Sequence, residues 1–238
     1  MSRRAMRTTG FSDLLKTKAL FAALLVMLTS GCGPNTDKSN SSQSSQKNTA
    51  TSEKTGVGII GSQKAVLSAN KVSNLAELIT VRIEGAVEGS GVIVQKDENT
   101  YTVATAWHVI KDNAPGEEIV AVTNDKRAHV VDGSSLQKIQ NVDLGLLTFK
   151  SNTKYSHALL GQASDSQSGE TLYVSGYPLS STSVPIRVRR FTKGEVVANT
   201  STFMSNGYQL LYSNQTLPGM SGGGVFDRYG RLIAIHGL

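Results

Sequence analysis

Two patterns divide the chain. From about residue 67 onward, short apolar runs rich in β-branched residues alternate with turn residues, at 79–83, 91–94, 101–104, 119–122, 144–149, 172–174, 186–188, 196–198, 210–212, 225–226 and 232–235. Runs this short and closely spaced, with no sustained 3.6-residue period, predict an all-β barrel or sandwich. Asp97-Glu98-Asn99 and Asp227-Arg228-Tyr229-Gly230 have the composition of hairpin turns. Residues 68–78 fit a short helix or a surface arm. Upstream the pattern is different: residues 19–28 (ALFAALLVML) are unbroken apolar, whereas 33–55 hold almost no large apolar side chain.

Ten apolar residues are too few to span a bilayer comfortably and suit the core of a secretory signal. Arg3, Arg4, Arg7, Lys16 and Lys18 supply the charged region ahead of it, so residues 1–31 read as a signal peptide. The run leads into Leu28-Thr29-Ser30-Gly31-Cys32, which resembles a bacterial lipoprotein box. That resemblance implies an acylated Cys32 as the first mature residue, with the membrane as a partner through its lipid chains. The alternative is ordinary cleavage, leaving a free thiol on a secreted soluble protein. Residues 32–65 then form a flexible tether, because such a composition cannot offset its conformational entropy by burial. Residues 66–238 form the folded domain. The expected location is extracytoplasmic and membrane-anchored. Cys32 is the one cysteine, so no intramolecular disulfide can form.

The formal charge of +6 invites a nucleic-acid reading. Five of the basic residues and one acid lie before residue 32, which leaves 19 basic against 17 acidic residues, a net +2, on the rest. The basic character belongs mostly to the leader, and nucleic acid is discounted as a partner. No His, Cys and carboxylate spacing suggests a metal site, and no phosphate-binding glycine loop is present, so no cofactor is expected.

Three segments gain meaning when read together. Thr105-Ala106-Trp107-His108 follows an apolar run, Asp143 opens the run Leu144-Gly145-Leu146-Leu147, and Ser221 lies inside Pro218-Gly219-Met220-Ser221-Gly222-Gly223-Gly224. Each is common alone. In order and context they resemble the chymotrypsin/trypsin superfamily, over roughly residue 79 to the C-terminus, and most closely its disulfide-free bacterial branch that includes glutamyl endopeptidases. Gly176-Tyr177-Pro178, Gly194-Glu195-Val196 and Leu232-Ile233-Ala234-Ile235-His236-Gly237 carry the likeness to that branch.

The resemblance implies a double six-stranded β-barrel and a serine endopeptidase acting on polypeptide substrates. A serine hydroxyl is a poor nucleophile at neutral pH, so His108 would accept its proton and return it to the leaving amine. Asp143 would fix the imidazole tautomer and stabilise the imidazolium. The N–H groups of Gly219 and Ser221 would form the oxyanion hole. Gly224 stands where the superfamily usually has Pro, and is expected to loosen the start of the following strand.

Two further residues are candidates for substrate binding. His236, 15 residues after Ser221, stands where the branch places a histidine that meets an acidic side chain. Gln215, six residues before the serine, stands near the usual pocket-base carboxylate; an exposed loop glutamine is the bland reading. His129 and His157 read as surface histidines, and Arg187, Arg189 and Arg190 as charges on a solvated strand face. Relatives of this kind continue through another strand and a terminal helix, so the second barrel is expected to lack its last strand. A binding module on a protease-like frame is the competing function.

Overall fold

The computed structural model describes residues 3–7, 65–85, 87–114, 116–200, 202 and 204–237. Within them the double barrel is present. One sheet has seven strands: β2 (Thr80–Glu84), β3 (Gly89–Asp97), β4 (Thr100–Ala106), β5 (Val120–Val122), β6 (Ala128–Val130), β7 (Gln137–Lys138) and β8 (Leu144–Lys150), in the order β6-β5-β2-β3-β4-β8-β7. The other is a closed barrel in which β1 (Arg3–Arg7) joins β9 (Thr171–Gly176), β10 (Arg190–Asn199), β11 (Leu210–Tyr212), β12 (Gly224–Asp227) and β13 (Leu232–His236). All the pairings within both sheets are antiparallel.

Strand alternation explains why the runs read as continuously apolar. Val103, Leu147 and Phe149 point into the core of the first barrel, while their neighbours Ala104, Leu146 and Leu144 face a second core. Val225 and Ile233 fill the second barrel, and Phe226 and Leu232 face away from it into that same shared layer. Strands buried on both faces lose the polar half of the period-two pattern. The shared layer is completed by α1 (Ala69–Ile79), whose Val72, Ala76 and Ile79 are buried along one stripe. Ser68 caps the helix, accepting from Lys71 N–H at 3.4 Å, so residues 68–78 are helix and not an arm.

Both expected hairpin turns form. Glu98 takes a positive φ of 50° between β3 and β4. Between β12 and β13 the Asp227 carboxylate accepts from Tyr229 N–H and Arg231 N–H, both at 2.9 Å, and Gly230 adopts φ 77°. The reading of 186–188 as a strand is corrected: these residues lie in the connection between β9 and β10. The place expected to be empty in the second barrel is also filled. β1 lies between β11 and β13, with Arg3 opposite Tyr212 and Ala5 opposite both Leu210 and His236. Arg3–Arg7 belongs to the segment read above as the signal's charged region. The apolar run 19–28, Cys32 and almost all of the 32–65 tether lie outside the described residues.

Candidate active site

His108 and Asp143 are brought together by strand register. β4 and β8 pair with Ala106 opposite Leu144, which sets the residues just beyond each strand end side by side. The chain turns at Ala106 into the one-turn helix α2 (Trp107–Ile110). Trp107 N–H donates to the Asp143 carbonyl at 3.1 Å and His108 N–H to Asp143 Oδ1 at 2.8 Å. The His108 ring donates from Nδ1 to Oδ2 at 2.6 Å. The second barrel adds a further donor, the Tyr208 hydroxyl, at 2.7 Å from the same oxygen. Asp143 N–H in turn donates to the Asn206 carbonyl at 2.9 Å, so the carboxylate is fixed from both barrels.

Burial disfavours the charged form of Asp143. The hydrogen bonds from the His108 ring, the Tyr208 hydroxyl and His108 N–H outweigh it and hold the carboxyl below the usual range. Asp143 is therefore a carboxylate at neutral pH. It fixes the proton of His108 on Nδ1 and leaves Nε2 as the ring's acceptor.

Ser221 sits in the turn before β12, partly exposed. Its N–H neighbours are tied back: Met220 N–H donates to Leu217 O, Gly222 N–H to His236 O and Gly223 N–H to Met220 O. Among the described residues, the N–H groups of Gly219 and Ser221 have no such partner. Gly219 reaches this shape at φ 90°, where a side chain would also press on Leu179 N–H. Met220 is fully buried in the core of the second barrel and anchors the turn. The Ser221 hydroxyl makes no hydrogen bond to the His108 ring in this ligand-free geometry, a contact that commonly tightens only on a bound substrate.

Gly224 does not loosen β12. It pairs with Ser175 and Ile235, and the volume a β-carbon would need is taken by the Phe226 ring.

The two candidate substrate-binding residues lie apart in environment. Gln215 is exposed, with its amide oxygen 3.5 Å from Arg190. His236 is 3% exposed; its backbone bonds to Gly222 and Gly223, and its Nδ1 lies 2.5 Å from the Tyr212 hydroxyl. Beside the Ser221 turn, Leu179, Val184, Ile186, Val188 and Leu217 line an open apolar groove of about 340 Å³. Leu179 N–H donates to Pro218 O, which joins that groove to the Gly219 turn.

Two surface readings are corrected. Arg187 is not on a solvated strand face: its side chain is 5% exposed, and it donates to Gly89 O, Tyr177 O, Ile83 O and Pro178 O at the junction of the barrels. His129 stacks on Phe149 at 4.6 Å, and both it and His157 are half-buried; burial lowers the pKa of each below the ordinary imidazole value. Sequence reasoning missed Tyr208, Ser90 and the burial of Arg187. All three act across the barrel junction, where no local motif marks them.

The trypsin-like peptidase domain matches residues 89–235, more than half of the chain. The chain belongs to the trypsin-like peptidase family. The chain is 32% identical to exfoliative toxin A of Staphylococcus aureus over 176 residues, 66% of the chain and 58% of the toxin. It is 39% identical over 51 residues to non-structural polyprotein 1A of human astrovirus-8, a match covering 21% of the chain and 6% of the polyprotein. The chain thus spans less than two thirds of either relative's length.

Proposed function

We propose that the chain is a serine endopeptidase that cleaves polypeptides through an acyl-enzyme on Ser221. In the first half-reaction, Ser221 Oγ bonds to the scissile carbonyl carbon while its proton passes to His108 Nε2. Collapse of the tetrahedral intermediate breaks the C–N bond, and His108 returns the proton to the leaving amine. Water then attacks the ester with His108 again as base; the acyl–oxygen bond breaks and His108 returns the proton to Ser221 Oγ, releasing the acid. Asp143 holds the imidazole in the tautomer that both steps need. The oxyanion would be met by Gly219 N–H and Ser221 N–H.

One observation carries this reading. Around the serine, the neighbouring N–H groups are bonded within the protein, and the two that the chemistry needs are free. Secretion, and tethering through an acylated Cys32, belong to the same proposal; the apolar run 19–28 and the polar stretch 33–55 support them.

Labelling with a fluorophosphonate tests the reading. The wild type should take one label on Ser221, and Ser221→Ala none. His108→Ala should label at least about a hundredfold more slowly, within the usual contribution of a general base. A folded wild type that takes no label would leave the binding-module reading in its place.

A further inference from the structure

We propose that the Ser90 hydroxyl is a positioning group that keeps the oxyanion donors of the nucleophile turn aimed at the substrate. The proposal rests on the reading of Ser221 as nucleophile. Ser90 lies on β3 of the first barrel and is fully buried. It grips the turn of the second barrel at two carbonyls. Its N–H donates to Ser221 O, and its hydroxyl donates to Gly219 O, each at 2.8 Å. The same hydroxyl accepts from Tyr177 N–H at 2.8 Å. The Ser90 carbonyl accepts from Thr105 Oγ1 at 2.7 Å, three residues before His108.

These contacts form part of a complete set. Pro218 O is held by Leu179 N–H, Gly219 O by Ser90 Oγ, Met220 O by Gly223 N–H and Ser221 O by Ser90 N–H. Four consecutive carbonyls are thereby bonded, while the Gly219 and Ser221 N–H groups are free. Three of the four donors are main-chain groups that any residue except proline would provide. The hydroxyl alone depends on the side chain at position 90. Gly219 has no β-carbon to resist rotation of its peptide. With Met220 N–H held by Leu217 O, the Ser90 hydroxyl fixes the other end of the Gly219–Met220 plane. Without it that plane is free to swing, drawing Ser221 N–H off line and leaving Gly219 O and Tyr177 N–H unpaired in a part-buried place.

Ser90→Ala and Ser90→Cys provide the test; the thiol is larger than the hydroxyl but keeps a weak donor. In Ser90→Ala, kcat on a peptide anilide should fall about a hundredfold with KM within about twofold, the order of losing one oxyanion donor. Affinity for a peptide aldehyde, which binds as an oxyanion-bearing hemiacetal, should fall in parallel, while affinity for the cleaved product peptide stays the same. Ser90→Cys should lie between. A merely structural Ser90 would lower aldehyde and product affinities together, and that result, or no change in any of them, overturns the proposal. Amide hydrogen exchange at Met220, whose N–H lies in the Gly219–Met220 plane and is bonded to Leu217 O, needs no turnover: it should quicken in Ser90→Ala, and unchanged exchange would count against Ser90 even in a protein that takes no fluorophosphonate. Failure of the Ser221 reading is seen separately, as absent labelling of the wild type. If the alanine variant does not fold, Ser90→Cys carries the same comparison.

Discussion

At Asp143, two opposing effects act on one carboxyl, and their balance can be tested. Burial raises its pKa, and the donors His108 and Tyr208 lower it by more. A carboxylate whose native pKa lies below its unfolded value contributes stability above that unfolded value, about 3.9, and loses it as the pH falls through the native pKa. Tyr208→Phe removes one donor, so the native pKa should rise toward normal. At pH 7 the variant should be less stable by about 1.5 kcal/mol, the size of a hydrogen bond to a charged group. The deficit should shrink only once the pH falls below the unfolded value of about 3.9, as the carboxyl of the variant takes up its proton before that of the wild type. Urea unfolding at pH 7 and pH 3.5 reads both; a deficit unchanged between them would show that the hydroxyl acts through packing and not through the carboxylate's charge. Residues of this kind also mark how far the sequence can be read. His108, Asp143, Ser221 and Gly219 each sit in a short motif whose chemistry is local. Tyr208 and Ser90 meet partners 65 and 129 positions away, so nothing in their own neighbourhoods announces them.

The connection between β9 and β10 shows the same limit for a whole element. Ile186-Arg187-Val188-Arg189 alternates as a strand with one charged face would, and the alternation is real, but part of its polarity is inverted. Ile186 and Val188 are exposed by 67% and 47%, while Arg187 points inward. The physical reason is the company the barrels offer. Ile83 O and Gly89 O from one side and Tyr177 O and Pro178 O from the other converge on a single guanidinium fork. Period-two reasoning assumes that charge prefers water, and a cage of carbonyls reverses the preference. Arg187→Leu should therefore cost about 3 kcal/mol, since it strands several acceptors at a buried junction. Arg187→Lys should recover less than half of that, because one ammonium cannot serve four carbonyls. Urea midpoints at unchanged slope measure both. If lysine restores full stability, charge alone and not the fork holds the junction.

At the scale of the molecule, the alternating runs and turns defined the barrels, but the strand pattern did not show how the second one closes. β1 pairs with β11 on one side and β13 on the other, and Tyr212 and His236, which touch each other, stand on those two neighbours. Arg3, Arg4 and Arg7 of this strand supply three of the five positive charges expected of a secretion leader. Cleavage ahead of Cys32 would take β1 away and leave two strand edges facing each other across a gap, with their N–H and C=O groups unpaired. The barrel then has to draw on another strand or expose those edges. A chain beginning at Cys32 should accordingly melt several degrees below the full chain, at about 2–4 °C per kcal/mol for a domain of this size. It should also scatter light increasingly with concentration, as open edges pair between molecules. Adding a peptide of residues 1–9 in trans should raise the melting point and suppress the scattering, because it supplies the missing ladder on both sides. The mass of the protein recovered from its native host reports which form is made, and whether Cys32 carries acyl chains. Equal melting of the two forms, with no response to the peptide, would mean that Arg3–Arg7 contributes nothing to the barrel, and β11 and β13 would have to be stabilised by their other neighbours, β10 and β12, alone.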